Sequence, residues 1–337
     1  MVGLDGKKIL QFITGLAASV LTIIVIFLLL EVFIRVVFPQ ITPIEIAHEL
    51  LVDNRFGDTP GLRPMSSGYV NGTIVTIDPL GFIKYTRNAG TYNQSWLFLG
   101  DGVTMGAGIE PDSTFAGRIW TYCNELRILN ASLVGYSSWD FQNVGRGILL
   151  SRQDSIRRLN IQHVSVLWSL RDIYSNYDFG MSPGDDIRES GSSLAGFMKK
   201  NFRAYTWIDN LFNDRAKEYY DYDRRIYQSG DPRFKKALAD LCNLKGLCDE
   251  RNIQFDVILI PYEYQFRSPE PERDRFAPQQ FLSKALDGVG IRHYDAAPAF
   301  AAAQQIKSLY LNGDGMHLSD QGHVVMTRYM METFYCR

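Results

Sequence analysis

Trp96-Leu97-Phe98-Leu99-Gly100-Asp101-Gly102-Val103-Thr104-Met105-Gly106-Ala107-Gly108 carries the architecture of this chain. Four consecutive apolar residues, Trp96 to Leu99, have strand length and no polar alternation. That is the pattern of a strand buried on both faces of a parallel sheet. A tight glycine turn follows at Gly100, and then an amphipathic helix. Open α/β sheets place ligands at the carboxyl ends of such strands, so chemistry is expected here. Yet the tip of the turn, where a nucleophile would stand, is Gly102.

Downstream, Asp112 or Ser113 suits a helix N-cap, and Phe115, Ile119, Cys123 and Leu126 fall at helical spacing. A strand is expected over 129–134, ending in Gly135-Tyr136-Ser137-Ser138, then a helix over about 140–159. A third strand, 163–168, ends at Ser169-Leu170-Arg171-Asp172. This β-α-β-α-β rhythm predicts a three-layer, flavodoxin-like parallel sheet with helices on both faces. It pauses over about 173–230, a polar, tyrosine-rich insertion that includes Tyr174, Tyr219, Tyr220 and Tyr227. So long a connection is expected to lie beside the strand ends as a lid or a packed subdomain. The rhythm resumes with a helix over 232–251, a strand over 255–260, a helix over 272–288 and a short strand over 291–294. The chain closes on Asp314-Gly315-Met316-His317-Leu318-Ser319-Asp320-Gln321-Gly322-His323 and a last helix to Tyr335, with Ser319 as its cap.

Upstream, the run from Ile9 to Leu30 is 22 residues without a charge. Such a length spans a hydrocarbon core of about 30 Å. It exceeds the apolar core of a cleaved signal peptide, and bulky Val-Val-Phe-Pro follows it instead of a small-residue cleavage site. A retained anchor over residues 1–38 is therefore expected. Lys7 and Lys8 before the span put the N-terminus in the cytoplasm and the rest outside. Residues 39–95, punctuated by Pro39, Pro43, Pro60 and Pro64, read as a stem with one short β segment over 72–77. Asp78-Pro79-Leu80-Gly81-Phe82 reads as a turn. Residues 96–337 form the α/β domain.

A net charge of −2 with no basic block excludes a nucleic-acid-binding surface. Of the four cysteines, Cys242 and Cys248 share a helix and are poor disulfide partners. Cys123 with Cys336 is the favoured pair, free buried thiols being the alternative. The cysteine spacing is not that of a zinc site, and the reading calls for no metal or cofactor.

Asp101-Gly102, Gly135 and Arg171-Asp172 arrive at one sheet edge from three different strands. Asp314-x-x-His317 sits before the last helix. A carboxylate three residues before a histidine can accept its Nδ1–H, fix the tautomer and leave Nε2 as a base. In these blocks the chain resembles the SGNH (GDSL-like) hydrolase superfamily over roughly 96–335. Gly100-Asp101-Gly102-Val103-Thr104-Met105-Gly106 stands for Gly-Asp-Ser-x-Thr-x-Gly. Gly135 matches the second block, and Ser169-Leu170-Arg171-Asp172 stands for Gly-x-Asn-Asp. Asp314, His317, Leu318, Ser319, Gly322 and His323 match the last block throughout. The turn at Asp78 resembles one that precedes the first block in membrane-anchored bacterial members.

The resemblance implies a serine nucleophile, a histidine base and an aspartate that orients it. It also implies an oxyanion hole of backbone N–H groups and an asparagine amide. Here Gly102 has replaced the serine and Arg171 the asparagine, while Asp314 and His317 remain. Asp101, Gly135, Arg171, Ser137 and Ser138 are the expected binding residues, and either serine, or a water activated by His317, is a substitute nucleophile. Loss of a triad nucleophile costs roughly 10⁶-fold in rate. The expectation is a single-pass inner-membrane protein with an inactive extracytoplasmic SGNH-like domain. It would bind an envelope ligand or serve as an accessory subunit to other membrane proteins. The alternative is an esterase or O-acyltransferase acting on acyl groups of envelope glycans.

Overall fold

A computed structural model describes residues 6–37, 46–86, 92–123, 125–174, 197–198, 201–311 and 314–334. Its principal helices are α1 (Gly6–Val37), α2 (Gly102–Met105), α3 (Phe115–Tyr122), α4 (Ser138–Leu149), α5 (Arg203–Phe212), α6 (Arg215–Asp223), α7 (Pro232–Asp249), α8 (Ala277–Gly288) and α9 (Asp320–Phe334). The strands are β1 (Leu51–Phe56), β2 (Thr59–Leu62), β3 (Ser67–Val70), β4 (Thr73–Thr76), β5 (Gln94–Gly100), β6 (Leu126–Asn130), β7 (Ile161–Trp168), β8 (Gln254–Leu259) and β9 (Arg292–Asp295). The chain divides into two compact units, Met1–Pro43 with Gly191–Asn213, and Ile44–Ser190 with Asp214–Arg337.

In the larger unit the apolar run 96–99 is indeed a central strand. The five-stranded sheet has the order β6-β5-β7-β8-β9, every pairing parallel. This is the flavodoxin-like order, and its topological switch point falls between β5 and β7. Trp96 and Phe98 face one layer, where they meet Phe334 of α9 and Phe115 of α3. Leu99 faces the other, close to Gly145 of α4 where that helix crosses Leu244 of α7. Burying each such side chain contributes about 1.5–3 kcal/mol, which is why a continuous apolar run suits a strand covered on both sides.

Local chemistry moves several boundaries. The second strand ends at Asn130 and does not reach Val134. The Asn130 side chain accepts from Ser132 N at 3.1 Å and donates to Thr104 O at 3.0 Å. That turns the chain out of the ladder and ties it to the first glycine turn. The helix expected over 140–159 stops at Leu149, and a separate turn, Asp154–Arg157, follows. The cap of α3 is Thr114, whose hydroxyl accepts from Gly117 N at 3.1 Å, because Pro111–Ser113 form a preceding 3₁₀ turn.

Residues 46–86 contribute to the same core as the sheet, through Leu50, Leu62, Val70, Val75, Ile77 and Phe82. They form two antiparallel hairpins, β1–β2 and β3–β4, where the sequence reading expects one short strand. Asn71-Gly72, both at positive φ, make the two-residue turn of the second hairpin. The Asp78 turn is present as expected, with Asp78 Oδ1 accepting from Leu80 N at 2.8 Å and Phe82 N at 3.0 Å.

In the smaller unit α1 is the one helix, among the described residues, long and apolar enough to cross a membrane. Within its Leu10–Val37 segment, an 18-residue window has a mean hydropathy of 2.8. Helix α5 packs on it through Ala204, which meets Ile34, both fully buried. Of the cysteines, Cys123 Sγ lies 3.6 Å from Met331 Sδ, and Cys336 lies outside the described residues.

Candidate active site

The first turn is built by Asp101, whose carboxylate caps α2 by accepting from Val103 N at 2.9 Å. Gly102 opens that helix with a φ outside the left-handed region. The turn therefore does not require glycine there. What requires it is space: a Cβ at residue 102 would stand 2.6 Å from His317 Nε2 and 3.1 Å from Val134 Cγ2. The imidazole nitrogen that would serve as base stands closer to the place of a residue-102 side-chain carbon than van der Waals contact allows. Arg171 is not among the three nearest groups.

His317 is held from behind. Its Nδ1 lies 2.6 Å from Asp314 Oδ2, while Asp314 Oδ1 accepts from Met316 N at 2.6 Å and His317 N at 2.8 Å. The carboxylate thus fixes both ring and backbone, as the Asp-x-x-His spacing leads one to expect. The His317 side chain is only 7% exposed. Burial alone pushes its pKa down, but the charge and hydrogen bond of Asp314, with a contribution from Asp101, outweigh burial and raise it above the ordinary value.

Arg171 lies on the 3₁₀ turn Leu170–Ile173 that follows β7, and its charge is felt at His317, Tyr174 and Tyr262. Ser169 and Asp172 cap that turn reciprocally, Ser169 N donating to Asp172 Oδ2 at 2.8 Å and Ser169 Oγ to Asp172 Oδ1 at 2.9 Å. The same hydroxyl lies 3.2 Å from Asp101 Oδ2. Two buried carboxyls from the first and third loops thus meet over one serine. Burial, and then the negative charge of Asp101, hold the Asp172 carboxyl well above the usual carboxylate range.

Ser137 and Ser138 stand at the start of α4. Ser137 Oγ donates to Asp140 Oδ2 at 3.0 Å in a capping box that starts α4, and Ser138 Oγ donates to Asp240 Oδ2 at 2.8 Å. Both hydroxyl protons are committed to carboxylates, so neither is donated to His317 Nε2. Gly135, at φ +85°, is one residue after the Val134 that abuts Gly102, so the second block does reach the site. Thr104 turns its hydroxyl toward Gly100 on β5. His323 is structural: its Nδ1 accepts from Phe115 N at 3.1 Å, and burial, with the charges of Arg118 and His317, lowers its pKa to about 3. It ties α9 to α3 as a neutral ring.

The insertion divides between the two units, and its returning half, α6, reaches the site. Ala216 packs against Gly315, so residue 315 must be glycine on two counts, contact and a φ of +67°. Asp223 accepts from Tyr262 at 2.7 Å and from Tyr174. Sequence reasoning missed Asp223, because one aspartate in a tyrosine-rich run carries no signal of its partners. Tyr174, Tyr219, Tyr220 and Tyr227 are buried, with Tyr227 donating to Leu170 O at 2.8 Å. These four rings are packed, as in the packed-subdomain alternative of the sequence reading.

The sheet order defines a three-layer, flavodoxin-like α/β domain whose edge carries the hydrogen-bonded pair Asp314–His317 and no side chain at residue 102. No family model matches the chain, and no curated protein is similar to it. Among solved structures it is similar to a lipase/acylhydrolase from Enterococcus faecalis, with 12% identity over 71% of this chain and 94% of that one and a TM-score of 0.39. It is also similar to a member of the lipolytic G-D-S-L family from Veillonella parvula, with 13% identity over 72% and 99% and a TM-score of 0.40. A third is a catalytic mutant of an acetylxylan esterase from Geobacillus stearothermophilus, with 16% identity over 72% and 94% and a TM-score of 0.40.

Proposed function

We propose that this protein is a non-hydrolytic SGNH-like domain carried on a membrane-spanning helix and held outside the cytoplasm, at the inner membrane of a bacterium. It acts as a binding or accessory subunit of an envelope complex. One observation carries the reading: His317 Nε2 lies 2.6 Å from the place of a residue-102 Cβ, so the base stands too close for a nucleophile's side chain to fit there without displacing the ring. Arg171, in place of a neutral amide, supplies a permanent positive charge suited to a carboxylate or another small anion. The test is hydrolysis of p-nitrophenyl acetate by the full-length protein in detergent. The expected rate is that of buffer and is unchanged in His317→Ala; a faster rate abolished by that substitution overturns the proposal.

A second reading, an esterase or O-acyltransferase, is favoured by the intact pair of Asp314 and His317. With Ser137 and Ser138 bonded to carboxylates, its nucleophile is a water or an acceptor hydroxyl that gives its proton to Nε2. Rates above buffer with no fluorophosphonate adduct on the chain support it; rates equal to buffer remove it.

A further inference from the structure

Helix α5 docks on α1 at one particular level. The uncharged run of 22 residues from Ile9 to Leu30 is about 33 Å long at about 1.5 Å per residue, close to the thickness of a hydrocarbon core. Glu31, Ile34 and Arg35, the next turn of α1, then fall at the boundary with the headgroups. There α5 is fastened. Glu31 Oε2 accepts from Ala204 N at 2.8 Å, at the first turn of α5, and Glu31 Oε1 accepts from Arg35 Nε at 2.6 Å. A carboxylate near the bilayer is costly unless paired, and this one is paired twice while complementing the positive end of α5. Ile34 against Ala204 and Phe27 edge-on to Phe202 complete the joint.

Around this joint large apolar side chains face outward. Phe197 is 58% exposed, Leu211 61% and Phe212 83%. The stretch 197–212 also carries Lys199, Lys200 and Arg203 against a single acid, Asp209. A short amphipathic helix that exposes large aromatic and aliphatic residues suits an interfacial anchor, and the basic residues of the stretch before it suit anionic lipid.

We propose that α5 is a second membrane attachment, lying in the headgroup–acyl boundary at the end of α1, with its Leu211 and Phe212, and Phe197 before it, inserted into an anionic bilayer. This rests on the reading that α1 spans the membrane. It gives the Gly191–Asn213 part of the insertion, which belongs to the smaller unit, a role of its own.

The test places a photoreactive p-benzoyl-phenylalanine at Phe212, and separately at Leu21 on α1, in the full chain. The protein is reconstituted in phosphatidylcholine–phosphatidylglycerol vesicles, and adducts are read by mass spectrometry. Lipid adducts at both positions are expected. Adding Leu211→Asp to the position-212 probe should reduce its lipid adduct at least about tenfold at unchanged Tm, since residue 211 is on the surface. Lipid at Leu21 with none at Phe212, or a cross-link from Phe212 to a second copy of the chain, overturns the inference and leaves the span standing. An unchanged adduct in the Leu211→Asp background also overturns it. No lipid at either position removes the span and the inference with it.

Discussion

Restoring the nucleophile, Gly102→Ser, is the sharpest perturbation of this site. A serine Cβ would stand 2.6 Å from His317 Nε2, against 3.4 Å for ordinary van der Waals contact, so the ring would have to retreat by about 0.8 Å. It has little freedom to do so, because Asp314 holds Nδ1 at 2.6 Å and the backbone N–H of His317 at 2.8 Å. Val134 Cγ2, at 3.1 Å, closes a second side. Overpacking of this kind costs about 1–3 kcal/mol. For a unit of this size that is a fall in Tm of roughly 2–10 °C. Misplacing a catalytic group by about 1 Å costs on the order of 10²-fold in rate. Gly102→Ser is therefore expected to melt lower than the parent, to resist fluorophosphonate and to leave p-nitrophenyl acetate hydrolysis near the buffer rate. Gly102→Ala should melt equally low, separating the effect of volume from that of the hydroxyl. A serine variant that labels at residue 102, hydrolyses the ester well above buffer and keeps the parental Tm would refute the reasoning.

Three further outcomes follow from the geometry. Asp314→Asn leaves burial and Arg171, which lower the pKa of His317, opposed only by Asp101; the imidazole should titrate lower than in the parent by NMR, and an unchanged titration would show that Asp314 does not control the ring. In the parent that pKa is raised, so the stabilisation from protonated His317 is complete below the unfolded value of about 6.5 and is lost as pH rises through the folded one. The Asp172 carboxyl is also raised, so its contribution is greatest below about pH 4 and declines as pH rises. Asp172→Asn, which can still accept from Ser169 N, should thus gain Tm relative to the parent between pH 4 and pH 8; a difference independent of pH would count against the carboxyl pair. Gly81→Ala should destabilise by about 1–3 kcal/mol, because Gly81 sits at φ +90° and a Cβ there would collide with the Arg55 guanidinium, whose Nη2 donates to Leu80 O at 2.7 Å. Equal denaturant midpoints for the variant and parent would refute that.

Legibility varied with the range of the interaction. The run 96–99, the Asp78 turn and the Asp314–His317 pair were all readable, because each depends on residues within a few positions of one another. The Ser319 cap was readable for the same reason, and Gly322 N does donate to its hydroxyl at 3.2 Å. The end of the second strand was not, since Asn130 leaves the ladder for Thr104 O, 26 residues away. Nor was the fate of the aromatic insertion. Tyrosines at those spacings suit a lid or a packed subdomain equally, and only Asp223 and Leu170, supplied by separate elements, made Tyr174 and Tyr227 packing residues.

The sequence by itself determined the α/β order, the blocks at the sheet edge, the apolar N-terminal helix and the absence of a side chain at Gly102. All of these follow from hydrophobic period, turn chemistry and residue identity, which are written along the chain. Tertiary structure decided what the absence means. Gly102 and His317 are brought together only when β5 and the loop before α9 converge, and the resulting 2.6 Å approach makes the glycine a condition for the histidine's position. Close packing is a property of neighbours in space, and no local pattern encodes it.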